Sequence, residues 1–126
     1  MAYAINKTDG TVVATVADGT LDTASSSLSL IGKNYAGYGE VLNENQIKLL
    51  ENFANTSSNT PTSPLQGQIW YNTTANQLQV YNGSSFKSVS GANVDSTEPT
   101  NTAQGDLWYD STNGQLYVYN GSSFVL

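Results

Sequence analysis

Two stretches of this chain carry nearly the same text, and any fold it adopts has to accommodate that. Gln66 to Phe86 reads QGQIWYNTTANQLQVYNGSSF, and Gln104 to Phe124 reads QGDLWYDSTNGQLYVYNGSSF. The offset is a constant 38 residues, and 14 of the 21 aligned positions are identical. Matched pairs include Gly67/Gly105, Trp70/Trp108, Tyr71/Tyr109, Leu78/Leu116, Val80/Val118, Tyr81/Tyr119, Asn82/Asn120, Gly83/Gly121 and Phe86/Phe124. A repeat this close, at a period of tens of residues, is one supersecondary unit used more than once. Such an array points to a structural or binding module rather than to a single enclosed catalytic pocket.

Each copy reads as a three-stranded antiparallel meander. The first strand is Ile69 to Tyr71 (Leu107 to Tyr109), followed by a polar loop in which Asn113-Gly114 predicts a tight primed turn. The second strand is Gln77 to Tyr81 (Gln115 to Tyr119), with Leu78 and Val80 facing one way and Gln79 and Tyr81 the other. Asn82-Gly83 (Asn120-Gly121) turns the chain again, and Phe86 (Phe124) opens the third strand. Three strands with one apolar face are about the minimum for independent stability, and only when that face finds a partner. The second copy stops at Leu126, inside its last strand, as expected of a piece of something longer.

Ahead of the repeats, short apolar runs end in turn dipeptides. Tyr3 to Ile5 precedes Asp9-Gly10, Thr11 to Val16 precedes Asp18-Gly19, and Leu28 to Ile31 precedes Gly32. Asp-Gly marks hairpin turns because Gly reaches positive φ without strain and Asp tolerates it. Two or three antiparallel strands are predicted here. After a Gly-rich bend, a helix is predicted over Asn43 to Ala54, with Asn43 as N-cap and Gln46 completing a capping box. Ile47, Leu50 and Phe53 form its apolar stripe. About three turns are too short to stand alone, so the stripe must dock. It packs on the N-terminal strands or forms an intersubunit helix near a symmetry axis, and the sequence leaves both open.

The expected fold is therefore mainly β with one short helix (α+β). Residues 1–55 form an N-terminal attachment and oligomerisation module, 56–65 a linker and 66–89 the first β repeat. Residues 90–103 form a second linker and 104–126 the second repeat, in an elongated array. Pro61 and Pro99, also 38 apart, place both linkers in register with the repeats.

Composition narrows the chemistry. There is no His, Cys or Arg, the net charge is −6, and 11% of residues are charged. Without His and Cys the usual acid–base and covalent catalysts and any zinc site are missing. An acidic chain without Arg is a poor ligand for phosphate backbones, so no nucleic acid is expected. MAYAINKTDG has neither the basic start nor the apolar run of a signal peptide, and no stretch nears the roughly 20 apolar residues that span a bilayer. No cofactor, metal or membrane insertion is expected.

The repeat, with its G-[QD]-[IL]-W-Y-[ND] opening and Q-L-x-V-Y-N-G-S-S-F close, resembles one scattered through tail-fibre and other virion proteins of tailed bacteriophages. INKTDGTVVATVADGT and LIGKNYAGYGEVLNENQIKLLENFAN resemble the N-terminal module of fibre-like structural proteins in marine myoviruses, especially cyanophages. The resemblance spans Tyr3 to Phe124. It implies a virion component, a homotrimer assembled in the host cytoplasm, whose N-terminal part docks to a tail or baseplate protein.

The sequence offers three classes of candidate site. Ile47, Leu50, Phe53, Trp70, Leu78, Val80, Phe86, Trp108, Leu116, Val118 and Phe124 are expected to pack across subunits. Tyr71, Tyr81, Tyr109, Tyr117 and Tyr119, with the two Trp rings, could instead hold a host surface glycan if exposed; burial of both Trp rings would remove that reading. Asp106 and Asp110 lie four apart on one strand face, the spacing of a paired acid and base or a hard-cation site. Their counterparts are Gln68 and Asn72, so turn-end acids explain them better. Ser84-Ser85 and Ser122-Ser123 follow Asn-Gly with no base beside them. No enzymatic activity is expected.

Overall fold

The structure, a computed structural model, describes residues 1–89 and 91–126. It is mostly β with a single α-helix and several small sheets, as expected. The chain divides into two compact units, Met1–Lys87 and Ser88–Leu126, so the first repeat shares a unit with the N-terminal module.

Four strands precede the helix, where two or three were predicted. β1 (Tyr3–Asn6) pairs antiparallel with β2 (Val12–Val16), and β3 (Leu21–Asp22) with β4 (Leu30–Ile31). Both Asp-Gly turns form, with Gly10 and Gly19 at φ 86° and 71°. Asp9 fixes the first by accepting the Thr11 amide and hydroxyl at 2.9 and 2.7 Å. β3 escaped the sequence reading because two residues are too few to show alternation. At Gly32 a Cβ would meet the Ala17 and Thr20 carbonyl oxygens at 2.2 and 2.8 Å, so the two hairpins close only around a residue without a side chain.

The helix lies elsewhere than its pattern predicts. α1 spans Tyr38–Leu50, with Gly37 as N-cap and no side-chain cap. Asn43 is an exposed position inside it, so the Asn43/Gln46 capping box does not form. The error came from reading Gly37 and Gly39 as a bend; in the first turn Gly costs little, because those amides have no intrahelical partner. The helix ends early in a Schellman turn: Phe53 N–H donates to Lys48 O (2.7 Å) and Asn52 N–H to Leu49 O (3.1 Å). Asn52 takes the left-handed conformation at φ 51° and Phe53 follows at 55°. Asn is among the few residues that tolerate it. Phe53 thus lies outside the helix.

Nor does the predicted stripe face inward. No residue of α1 is buried; Ile47 and Leu50 are 51% and 78% exposed. The half-buried positions are Val41, Asn45 and Lys48, one helical row. Asn45 holds the helix down: its Oδ1 accepts the Ser29 amide (3.0 Å) and its Nδ2 donates to the Ser29 carbonyl (2.7 Å).

In the first repeat β5 (Ile69–Asn72), β6 (Gln77–Tyr81) and β7 (Phe86–Ser88) form the expected meander. The second is larger. β9 (Leu107–Asp110), β10 (Gln115–Tyr119) and β11 (Phe124–Val125) repeat it, and β8 (Asn93–Asp95) adds a fourth strand, parallel to β9. β8 comes from the stretch read as a linker over 90–103, of which Ser90 lies outside the described residues. The first linker is structured too. It carries a 3-10 turn, Ser57–Asn59, and a parallel bridge from Asn55 to Asn72. The carbonyl of Asn55 accepts from Thr73 N–H (2.9 Å) as that of Asp95 accepts from Ser111 N–H (3.0 Å). Thr73 and Ser111 are 38 apart, but Asn55 and Asp95 are 40 apart. The connection in the first copy is two residues longer, and its 3-10 turn lies in that stretch.

Candidate functional site

Alternation along the repeat strands sorts the expected packing residues onto two faces, confirmed by register: Trp70 pairs with Gln79 and Trp108 with Tyr117, while Tyr71 pairs with Leu78 and Tyr109 with Leu116. One face is aromatic and closed within its own copy. Trp70 meets Phe86 edge-on at 5.0 Å, and Phe86 meets Tyr81 at 5.2 Å. Trp108 meets Phe124 at 5.4 Å, and Phe124 meets Tyr119 at 5.1 Å. Tyr117 stacks on Trp108 at 5.0 Å, a contact the first copy lacks because Gln79 stands there. Trp70 and Trp108 are 3% and 8% exposed, so neither indole face is open to a sugar. Four tyrosines, Tyr71, Tyr81, Tyr117 and Tyr119, are half-buried; Tyr109 alone of the five is exposed.

The opposite face carries Leu78 and Val80 in the first copy and Leu116 and Val118 in the second. Val80 is half-buried, whereas Leu78, Leu116 and Val118 are exposed. The eleven expected packing residues therefore do not form one surface. Trp70, Phe86, Trp108 and Phe124 pack inside their copies, the Leu and Val positions lie behind them, and Ile47 and Leu50 are on α1. Sequence reading missed the exposed apolar residues Tyr38 and Leu42 of α1, and Val94 and Val125 at the sheet edges. Tyr38 and Leu42 lie ahead of the predicted helix, and Val94 inside a supposed linker.

The two indole N–H groups differ. Trp108 Nε1 donates to the Asp95 carbonyl of β8 (3.1 Å), while the buried Trp70 Nε1 has no partner among the described residues.

Asp106 and Asp110 each accept from a different stretch of backbone. Asp106 Oδ2 accepts the Ala103 amide (2.8 Å), as Gln68 Oε1 accepts the Leu65 amide (3.1 Å). Asp110 Oδ1 accepts the Thr112 and Asn113 amides (2.9 and 3.3 Å), as Asn72 Oδ1 accepts those of Thr74 and Ala75 (3.0 and 3.2 Å). The copies exchange charge but keep an oxygen acceptor in place. The Asn113 side chain, then the loop amides, hold the Asp110 carboxyl below its ordinary pKa against the opposing effect of burial. Asn113-Gly114 does not form the two-residue turn predicted: it closes a four-residue loop, with Gly114 at φ 66° and Asn76 in its place at 52°. The serine pairs are turn residues; Asn82 and Asn120 each accept both following serine amides at 2.9 Å.

Among the described residues no three His, Cys, Asp or Glu side chains gather to hold a metal ion, and no helix is long and apolar enough to cross a membrane. A cleft of about 420 Å³ lies beside the first repeat, lined by Pro61, Pro64, Trp70, Gln79, Tyr81 and Phe86 among others, with no charged side chain. Compared with protein-family models, curated proteins and solved structures, the chain matches none of them.

Proposed function

We propose that this chain is a non-enzymatic, fibre-like structural protein of a tailed-phage virion. It is a homotrimer that attaches to the tail or another virion component through its N-terminal module. The observation that carries this reading is the unfinished core. Only Val16, Trp70 and Trp108 are buried apolar residues among those described, while Tyr38, Leu42, Ile47, Leu49 and Leu50 stand exposed on one helix. A monomer seldom leaves so much of its apolar content in water where it serves nothing. Its lack of His and Cys and its resemblance to fibre proteins agree with a role made of interfaces. The exposed apolar residues of α1 belong to the attachment surface in this reading. Light scattering tests it: the purified chain should have the mass of three copies, and a monodisperse monomer would refute the trimer. A density map of the intact particle would locate the N-terminal module.

A further inference from the structure

With ten acidic and four basic side chains, the chain is negative, so a cavity whose wall holds a cation and no acid stands apart. One lies in the first unit, where β1, β4 and the first turn of α1 come together. Its volume is about 360 Å³, and Tyr3, Ile31, Lys33, Asn34, Tyr35 and Tyr38 line it, with no carboxylate among its lining residues. The other lysines differ: Lys7 lies near Asp9, and Lys48 lines a separate cleft together with Glu51.

The loop that carries Lys33 and Tyr35 is held by its backbone. The Lys33 carbonyl accepts the Gly19 amide at 2.6 Å, and Tyr35 N–H donates to the Gly32 carbonyl at 3.3 Å. Asn34 turns the chain at φ 59°, a conformation that Asn tolerates. The Tyr35 ring lies against Gly37, where a Cβ would come within 3.2 Å of it. The polar groups around the cavity are unspent. Among the described residues the Lys33 ammonium has no ion pair or hydrogen bond, and neither do the hydroxyls of Tyr3, Tyr35 and Tyr38.

We propose that this pocket takes a carboxylate from an acidic segment of the protein to which the N-terminal module attaches. The proposal rests on the attachment reading above and names the chemistry of its partner. Charge complementarity selects the occupant: a lysine and three phenols are hydrogen-bond donors, and no acid on the wall competes for them. The rings select a peptide over a bare ion, because Tyr offers an apolar face beside its polar tip and is enriched where proteins meet. Position agrees as well. Tyr38 and Leu42 are one helical turn apart on α1 and both exposed, so the pocket is continuous with the proposed attachment surface.

The test is calorimetric titration of the full chain with an oligoglutamate peptide, with oligoglutamine of the same length as control. Oligoglutamate should bind saturably, one peptide per chain, and oligoglutamine should not. Lys33→Gln should weaken binding about tenfold or more, the loss of one charge-assisted hydrogen bond. Lys48→Gln should leave it unchanged. Lys33 is exposed and holds Gly19 through its carbonyl, so the fold should survive, as circular dichroism would show. Should it not, Tyr38→Phe decides, since it removes an exposed hydroxyl, keeps the ring and should also weaken binding. Equal losses at Lys33 and Lys48 would mean diffuse attraction and overturn the pocket. Absence of binding overturns it too, and is the result expected if the chain's own acidic second unit fills the site. Both outcomes leave the fibre reading standing, because that reading falls with a monomer in light scattering.

Discussion

At the scale of single residues, the two copies are each other's control. Asp110 and Asn72 hold the same loop with the same oxygen, so Asp110→Asn should leave the fold intact at pH 7. The acid response separates them. The carboxyls of Asp9, Asp22, Asp95 and Asp110 all titrate below their ordinary value: Thr11 is the main cause for Asp9, Ser25 for Asp22, Thr97 for Asp95 and Asn113 for Asp110. Each therefore contributes stability that is fully present above the ordinary carboxylate range, near about pH 4. That stability is lost as pH falls through the lowered folded values, because the unfolded chain takes up protons first. Urea melts at pH 7 and pH 3 should show a smaller acid loss in Asp110→Asn than in the wild type. The indoles make a second comparison. Trp108→Phe loses the bond to Asp95, whereas Trp70→Phe removes an N–H with no partner among the described residues, so the former should cost about 1 kcal/mol more. Gly32→Ala would drive a Cβ into two carbonyl oxygens and should cost about 3 kcal/mol or more, read as a lowered melting temperature.

Among the elements, α1 separates pattern from structure most clearly. Ile47, Leu50 and Phe53 have helical spacing, and that spacing together with the Asn43/Gln46 capping pattern gives the predicted boundaries. The helix instead stops at a Schellman turn and is pinned by Asn45 to the backbone of Ser29. Asn43→Ala should then be neutral or stabilising by about 0.5 kcal/mol, as for a helix interior, not destabilising by about 1 kcal/mol as for a cap. Asn45→Ala should cost about 1–3 kcal/mol by unpairing Ser29. Urea denaturation followed by circular dichroism checks both. The strands of the repeats were far more legible. Gln77–Tyr81 and Gln115–Tyr119 begin and end where their alternation said, because a strand's period is set by the backbone and its turns are marked by Asn-Gly. β8 was hidden: Asn93-Val94-Asp95 has one apolar residue, and its hydrogen bonds go to a strand twelve residues downstream.

For the whole molecule, the question is where the missing core lies. A chain whose fold is completed by its own copies gains stability by mass action, so its melting temperature should rise with each tenfold increase in protein concentration. Calorimetry across that range would show no shift if the exposed faces stay bare. The repetition, the strands of the repeats, the Asp-Gly turns, the scarcity of charge and the missing His and Cys were all readable without coordinates, because each depends on local chemistry. The burial of Trp70 and Trp108 was only half readable. Their 38-residue spacing gave both the same position in their strands, but the rings that close over them come from β7 and β11, joined by loops whose geometry the text does not show. Tertiary structure alone decided that α1 leaves Ile47 and Leu50 exposed, that supposed linkers join the repeats, and that Leu116 and Val118 lie back to back with Trp108. Sequence fixes which residues are apolar and how they alternate. Which of two apolar faces is covered depends on what the rest of the chain brings against it.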